Sequence, residues 1–176
     1  MTADEYLYET DETNHRRELI LSRVSAPPAP FFSHQALVLR VAKVWSDDAE
    51  PRGLGRVAAA PVDVVLDHSR GLILQPDVLF ISTPRLSIIR DQVWGAPDLV
   101  AEVLSRRTEH RDRREKLEWY RQYGVRECWL VDLYGDRVTV VDFTGPSVAT
   151  RFAKRVDPIE STVLPELELS AVGVFA

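Results

Sequence analysis

Two short apolar runs in this chain each carry a carboxylate in their interior. They are Leu74-Gln-Pro-Asp-Val-Leu-Phe-Ile (74–81) and Ala96-Pro-Asp-Leu-Val-Ala-Glu-Val-Leu-Ser (96–105). An ionised carboxylate inside a buried strand is costly unless it is paired or holds a metal. Side chains alternate along a strand. One face of the first run therefore carries Ile73, Gln75, Asp77, Leu79 and Ile81, and one face of the second carries Asp98, Val100, Glu102 and Leu104. Asp77 and Glu102 are both expected mid-strand. If their strands are neighbours, the two acids can meet over one divalent cation, and hard oxygen ligands of this kind suit Mg²⁺ or Mn²⁺. Pro76 cannot donate to a ladder, so the sheet is expected to open or bulge beside Asp77.

The elements around these runs read in order. Thr2 and Glu5 form a capping box for a first helix. His15 to Val24 is a branched, strand-forming stretch with Glu18 near its start. Ser25-Ala-Pro-Pro-Ala-Pro is a rigid loop, after which Ser33 is placed to cap a helix with apolar positions at Leu37, Val41, Val44 and Trp45. His34 in its first turn reads as a surface residue. Arg56 to Leu66 is a strand with Pro61 as a bulge or edge feature, Asp67 to Gly71 a turn, and Leu72 to Ile81 the next strand. A short helix is expected over 85–91, a loop at Val93–Ala96, and a strand from Pro97 to Leu104. Thr108 is placed to cap a helix from about Glu109 to Tyr123 that Gly124 stops. Glu127–Leu133 and Arg137–Phe143 form a hairpin across Tyr134-Gly-Asp, and a polar segment containing Pro146 follows. The tail around Val163–Leu169 reads as a loosely docked strand or turn. The sum is a single mixed α/β domain over 1–176, with a central sheet flanked by helices.

Charge and composition narrow the classes. With 28% charged and 45% apolar residues and a net charge of −5, tight nonspecific nucleic-acid binding is disfavoured. The charge is uneven. Residues 1–13 carry five acids and no base, whereas 105–126 carry seven arginines and Lys116 against four acids, a local +4. That basic segment is either a surface for phosphate or a solvated helix laced with ion pairs. The single cysteine, Cys128, reads as a small buried hydrophobe and excludes an internal disulfide. The acidic start has no signal-peptide pattern and no apolar run reaches bilayer length, so a cytoplasmic protein without a membrane partner is expected.

Pro76-Asp77 followed by Glu102 resembles the PD-(D/E)xK nuclease superfamily. In that pattern a lysine stands two residues after the second acid. Here that position is Leu104, and Lys116 on the following helix is the candidate replacement. The longer string is similar to the bacterial Uma-two family of restriction-endonuclease-like proteins. It comprises Arg17-Glu-Leu-Ile, His34-Gln, Ala60-Pro-Val-Asp-Val-Val-Leu, Gln75-Pro-Asp-Val-Leu-Phe, Gly95-Ala-Pro-Asp-Leu-Val-Ala-Glu-Val-Leu-Ser, Arg111-Asp-Arg-Arg-Glu-Lys, Tyr120, and Tyr123 to Asp132. The resemblance implies a restriction-endonuclease-like fold and a catalytic set of Asp77, Glu102, Lys116 and Glu18. Asp77 and Glu102 would hold the metal, Lys116 would activate the attacking water or steady the phosphate, and Glu18 would be an additional acid. Leu21-Ser-Arg stands where the family has Asp-Gly-Glu, and Ser105-Arg-Arg where it often has Ser-Pro.

Three functions fit these residues. The first is a Mg²⁺- or Mn²⁺-dependent endonuclease acting on DNA, as a homodimer if a chain this small is to grasp both strands. The second is a catalytically silent nuclease fold kept as a binding or assembly module. The third makes the acids structural partners of arginines in the helix that carries Lys116. Asp98 is read as a structural cap at its strand entrance.

Overall fold

The structure, a computed structural model, describes residues 1–8, 16–104 and 110–176, with side chains throughout except those of 110–113. The expected cap at Thr108, the Ser105-Arg-Arg departure, the acids at 9–12 and much of the basic segment lie outside the described residues. Helix α1 (Ala3–Tyr8) opens with the expected capping box: Glu5 N donates to Thr2 Oγ1 at 3.2 Å and Thr2 N to Glu5 Oε2 at 2.6 Å.

Among the described residues the strands form two sheets. The smaller has β1 (Glu18–Ile20), β2 (Arg23–Ser25), β4 (Val64–Asp67), β5 (Leu72–Leu74) and β7 (Val93–Trp94), in the order β2-β1-β5-β4-β7. The larger has β3 (Gly55–Ala59), β6 (Val78–Ser82), β8 (Leu99–Leu104), β9 (Glu127–Asp132), β10 (Arg137–Asp142) and β11 (Ala149–Lys154), in the order β11-β10-β9-β8-β6-β3. Pairing is antiparallel except for β4 with β7 and β8 with β9. The crossover between β8 and β9 passes through α3 (His110–Tyr123), the helix that carries Lys116. A parallel neighbour requires such a crossover.

The two sheets share their chain at two prolines. Each of the strands expected over 56–66 and 72–81 is in fact two strands, one in each sheet. The first breaks between β3 and β4 at Pro61, the second between β5 and β6 at Gln75-Pro76-Asp77. A proline removes the ladder donor, so the strand leaves one sheet there and joins the other. Ala60 N donates to Asp77 O at 3.0 Å, which ties the two crossing points together. Asp77 therefore sits at a junction between sheets rather than mid-strand.

The larger sheet is covered on both faces. Helix α2 (Phe32–Ala49) and the C-terminal helix α4 (Ala171–Phe175) pack on one face, with Leu37, Val41 and Trp45 against Val78, Phe80, Ala101 and Trp129. The Trp45 and Trp129 rings meet edge-on at 5.1 Å. On the other face Val100, Leu104, Cys128 and Leu130 meet Tyr120 of α3 and residues of the smaller sheet. Several expectations need correcting. The strand expected over His15–Val24 is the hairpin of β1 and β2, the loop expected at Val93–Ala96 begins as β7, and the short helix expected over 85–91 is a 3-10 helix at Thr83–Ile88. Ser33 does not cap α2; Phe31 occupies that position without a side-chain cap. The tail is not loosely docked, since Ile159, Leu164, Ala171 and Val174 are all buried. The segment after Phe143 contains the edge strand β11, paired with β10 from Arg137↔Lys154 to Asp142↔Ala149.

Candidate active site

The junction at Pro76 places Asp77 where the β6–β8 ladder ends. Pairing runs from Phe80↔Leu99 to Val78↔Ala101 and stops there. Beyond it, Asp77 Oδ2 accepts the Val103 N–H at 2.7 Å, taking over a backbone donor that the ladder no longer satisfies. Glu102 projects from β8 to the α3 face, since its neighbours Val100 and Leu104 pack in that core. There its Oε1 accepts a hydrogen bond from the Tyr120 hydroxyl at 2.5 Å and lies 3.4 Å from Lys116 Nζ. Lys116 also donates to Glu18 Oε1 at 2.7 Å. The Gln75 N–H donates to the same Glu18 oxygen at 2.9 Å. The four expected residues, Glu18, Asp77, Glu102 and Lys116, thus come together from β1, the sheet junction, β8 and α3.

Two further side chains join them. Arg16 Nη1 is hydrogen-bonded to Asp77 Oδ1, and its Nη2 donates to Gln75 O at 2.6 Å and lies 3.6 Å from Glu102 Oε2. His34, expected on the surface, is buried at the start of α2 with Nε2 3.5 Å from Asp77 Oδ2. The expected role of Asp98 as a structural cap fits its position at the opposite end of β8. It accepts the Ser82 N–H at 2.8 Å and pairs with Arg85 at 3.2 Å, outside the cluster. Two of these placements had a spacing signal in the sequence. Arg16 stands two residues before Glu18, so an extended chain puts both on one side. Tyr120 lies one helical turn after Lys116. For His34 the signal was its place in the family string, as His34-Gln, which implied no role for it.

Burial and charge shape the ionisation of the cluster. Burial pushes the Asp77 carboxyl up, but the hydrogen bond from His34, the Arg16 guanidinium and the Val103 N–H outweigh it and hold it below the ordinary aspartate value. Glu102 goes the other way. Burial raises it, and the ammonium of Lys116 only partly offsets that, with Asp77 adding repulsion. Burial lowers Lys116, yet Glu102 and Glu18 more than compensate and keep its ammonium above the ordinary lysine value. The cluster opens into a cavity of about 430 Å³ whose lining includes Pro27, Pro28, Phe31, Trp119, Leu133 and Tyr134.

The donor set suits a hard divalent ion. Each acid has one oxygen tied to the scaffold: Asp77 Oδ2 to Val103, and Glu102 Oε1 to Tyr120. The remaining oxygens, Asp77 Oδ1 and Glu102 Oε2, both face the Arg16 guanidinium. Two carboxylate oxygens directed at one cationic position, with water completing the shell, match how Mg²⁺ is held. Among the described residues no group of three or more His, Cys, Asp or Glu side chains is arranged to hold a metal ion, so protein ligation would rest on Asp77 and Glu102 alone.

The sequence model of the family described as "Uma2: Putative restriction endonuclease" matches residues 3–172. The chain belongs to the Uma2 family. The backbone of this Uma2 chain is similar to the crystal structure of a "putative nuclease belonging to DUF820" from Anabaena variabilis ATCC 29413. The TM-score is 0.83 at 20% sequence identity, over 99% of this chain and 97% of the other. The fold is restriction-endonuclease-like, as the Pro-Asp and Glu motifs imply. No curated protein matches the chain. Among the described residues no helix is long and apolar enough to cross a membrane.

Proposed function

We propose that this Uma2 protein is a nuclease that hydrolyses phosphodiester bonds, with DNA as substrate and Mg²⁺ or Mn²⁺ as cofactor. The observation that carries the reading is the assembly of Asp77, Glu102 and Lys116 from three distant elements, with one oxygen of each acid left facing a shared cation position. Family membership supports nucleic acid as the substrate class.

In this reading Asp77 and Glu102 hold the ion. When bound, the ion neutralises charge on the phosphodiester and lowers the pKa of a water. The protein residues divide the remaining work. Val103 N–H and Tyr120 OH fix the orientation of the two acids. Lys116, held protonated between Glu18 and Glu102, has no free base to offer and acts as a cation toward the phosphate. Glu18 positions that ammonium through its 2.7 Å contact. A homodimer belongs to the same reading, because two such sites would address the two strands of a duplex.

The contacts of Arg16 favour a second reading, a silent module whose guanidinium fills the site permanently. Incubation of supercoiled plasmid, linear duplex and single strand with Mg²⁺, Mn²⁺ or chelator separates the two. Metal-dependent nicking by the parent and its loss in Asp77→Ala and Lys116→Ala support the nuclease. Equal cleavage by parent and variants would sink it.

A further inference from the structure

The guanidinium of Arg16 stands where the two oxygens that face a common cation position converge. Nη1 is bonded to Asp77 Oδ1 and Nη2 lies 3.6 Å from Glu102 Oε2. It is also anchored to Gln75 O at 2.6 Å, so the fork makes two hydrogen bonds and one longer ion-pair contact. The side chain is 21% exposed, whereas Asp77 is 3% and Glu102 14% exposed. The arginine is the most exposed of the three, and all three line the same cavity.

Charge points the same way. Glu18, Asp77 and Glu102 face Arg16 and Lys116, a formal charge of −1 for the five groups. Adding a divalent ion while Arg16 stays would bring the group to +1 in a largely buried setting. Exchanging the guanidinium for the ion brings it to zero. Isolated charge in a low-dielectric site is strongly disfavoured, so the exchange is the favoured outcome.

We propose that Arg16 is an internal counter-cation that a divalent ion displaces, so that bound metal and docked guanidinium exclude each other at Asp77 and Glu102. This rests on the metal reading of the site. In the metal-free protein Arg16 keeps two buried acids from facing each other unpaired. On exchange, the guanidinium moves toward the cavity mouth, two residues from Glu18, where its planar fork suits a phosphate. Docking of the ion and presentation of a phosphate-binding arginine become one event. Arg16 is then a positioning residue in the metal-free state and a substrate-binding group in the loaded state.

The test is Mn²⁺ binding, followed by the electron paramagnetic resonance signal of free Mn²⁺, with no substrate present. Arg16→Gln removes the competing charge and is expected to bind Mn²⁺ at least about tenfold more tightly than the parent, equivalent to about 1.4 kcal/mol. Arg16→Lys, which cannot bridge both acids, is expected between them and decides the matter if Arg16→Gln does not fold by circular dichroism. Asp77→Asn is expected to lose the site. If the parent binds Mn²⁺ through Asp77 and the Arg16 variants bind equally or more weakly, the exchange is refuted while the metal reading stands. If neither parent nor Arg16 variants bind, the metal reading fails and takes the exchange with it.

Discussion

The hydroxyl of Tyr120 offers a clean perturbation of the cluster. It is fully buried and donates to Glu102 Oε1 at 2.5 Å, on the oxygen that the scaffold holds. Tyr120→Phe removes one oxygen atom and leaves the ring packed among Val100, Leu104 and Leu130. What is lost is a hydrogen bond to a carboxylate that burial has already made costly to ionise. Hydrogen bonds to charged groups contribute about 1.5–3 kcal/mol. For a domain of this size about 2 kcal/mol lowers Tm by about 4–8 °C. Thermal unfolding followed by circular dichroism measures it. A double-mutant cycle with Glu102→Gln isolates the pair, and a coupling energy above about 1 kcal/mol is expected between contacting residues. A Tm within about 1 °C of the parent, with no coupling, would refute the claim that Tyr120 fixes Glu102.

Two further outcomes follow from sites away from the cluster. Asp142 accepts hydrogen bonds from Thr144 Oγ1 and Thr162 Oγ1, each at 2.6 Å, and from Thr144 N at 2.8 Å. Burial pushes its carboxyl up, but these donors and Arg151 outweigh it and bring the pKa down from 3.8 to about 2. The resulting stability, about 2 kcal/mol, is present above pH ~4 and disappears as the pH falls toward ~2. Asp142→Asn should therefore be less stable than the parent in urea at neutral pH and match it near pH 2. A constant difference across that range would contradict the assignment. At the β1–β2 turn, Leu21 and Ser22 hold φ of 48° and 67°, which disfavour residues with a side chain. Ser22→Gly should raise stability by about 1 kcal/mol, and a loss of stability would show that the turn is not strained.

The sequence made the fold class and the clustering of the candidate residues more legible than the sheet topology. Alternation put Glu102 on one strand face with Val100 and Leu104, and the resemblance to the nuclease pattern singled out Lys116 on the following helix; the structure brings the two within 3.4 Å. The departure at Leu21-Ser22 proved to concern turn geometry, because the chain still turns with positive φ and Glu18 still reaches Lys116. The two sheets were not legible. Residues 72–81 have one continuous apolar pattern, and a local pattern does not record which sheet each half joins. Pro76 marked the break without saying where the chain goes next. His34 was misread because a histidine at a helix start is usually solvated. Its burial comes from a long-range contact with Asp77, and nothing within its own turn signals that. Strand β11 was missed since its burial is light, with only Ala153 buried. Edge strands show little hydrophobic alternation when one side is open to water.

In the proposed function Asp77, Glu102 and Lys116 act together on a phosphodiester. The most direct test is the initial rate of Mn²⁺-dependent nicking of supercoiled plasmid by the parent and by Lys116→Ala, with folding checked by circular dichroism. One electrostatic donor at a transition state contributes about 3 kcal/mol, so the variant should be slower by about a hundredfold or more. A folded Lys116→Ala protein that nicks at the parent rate would contradict the account.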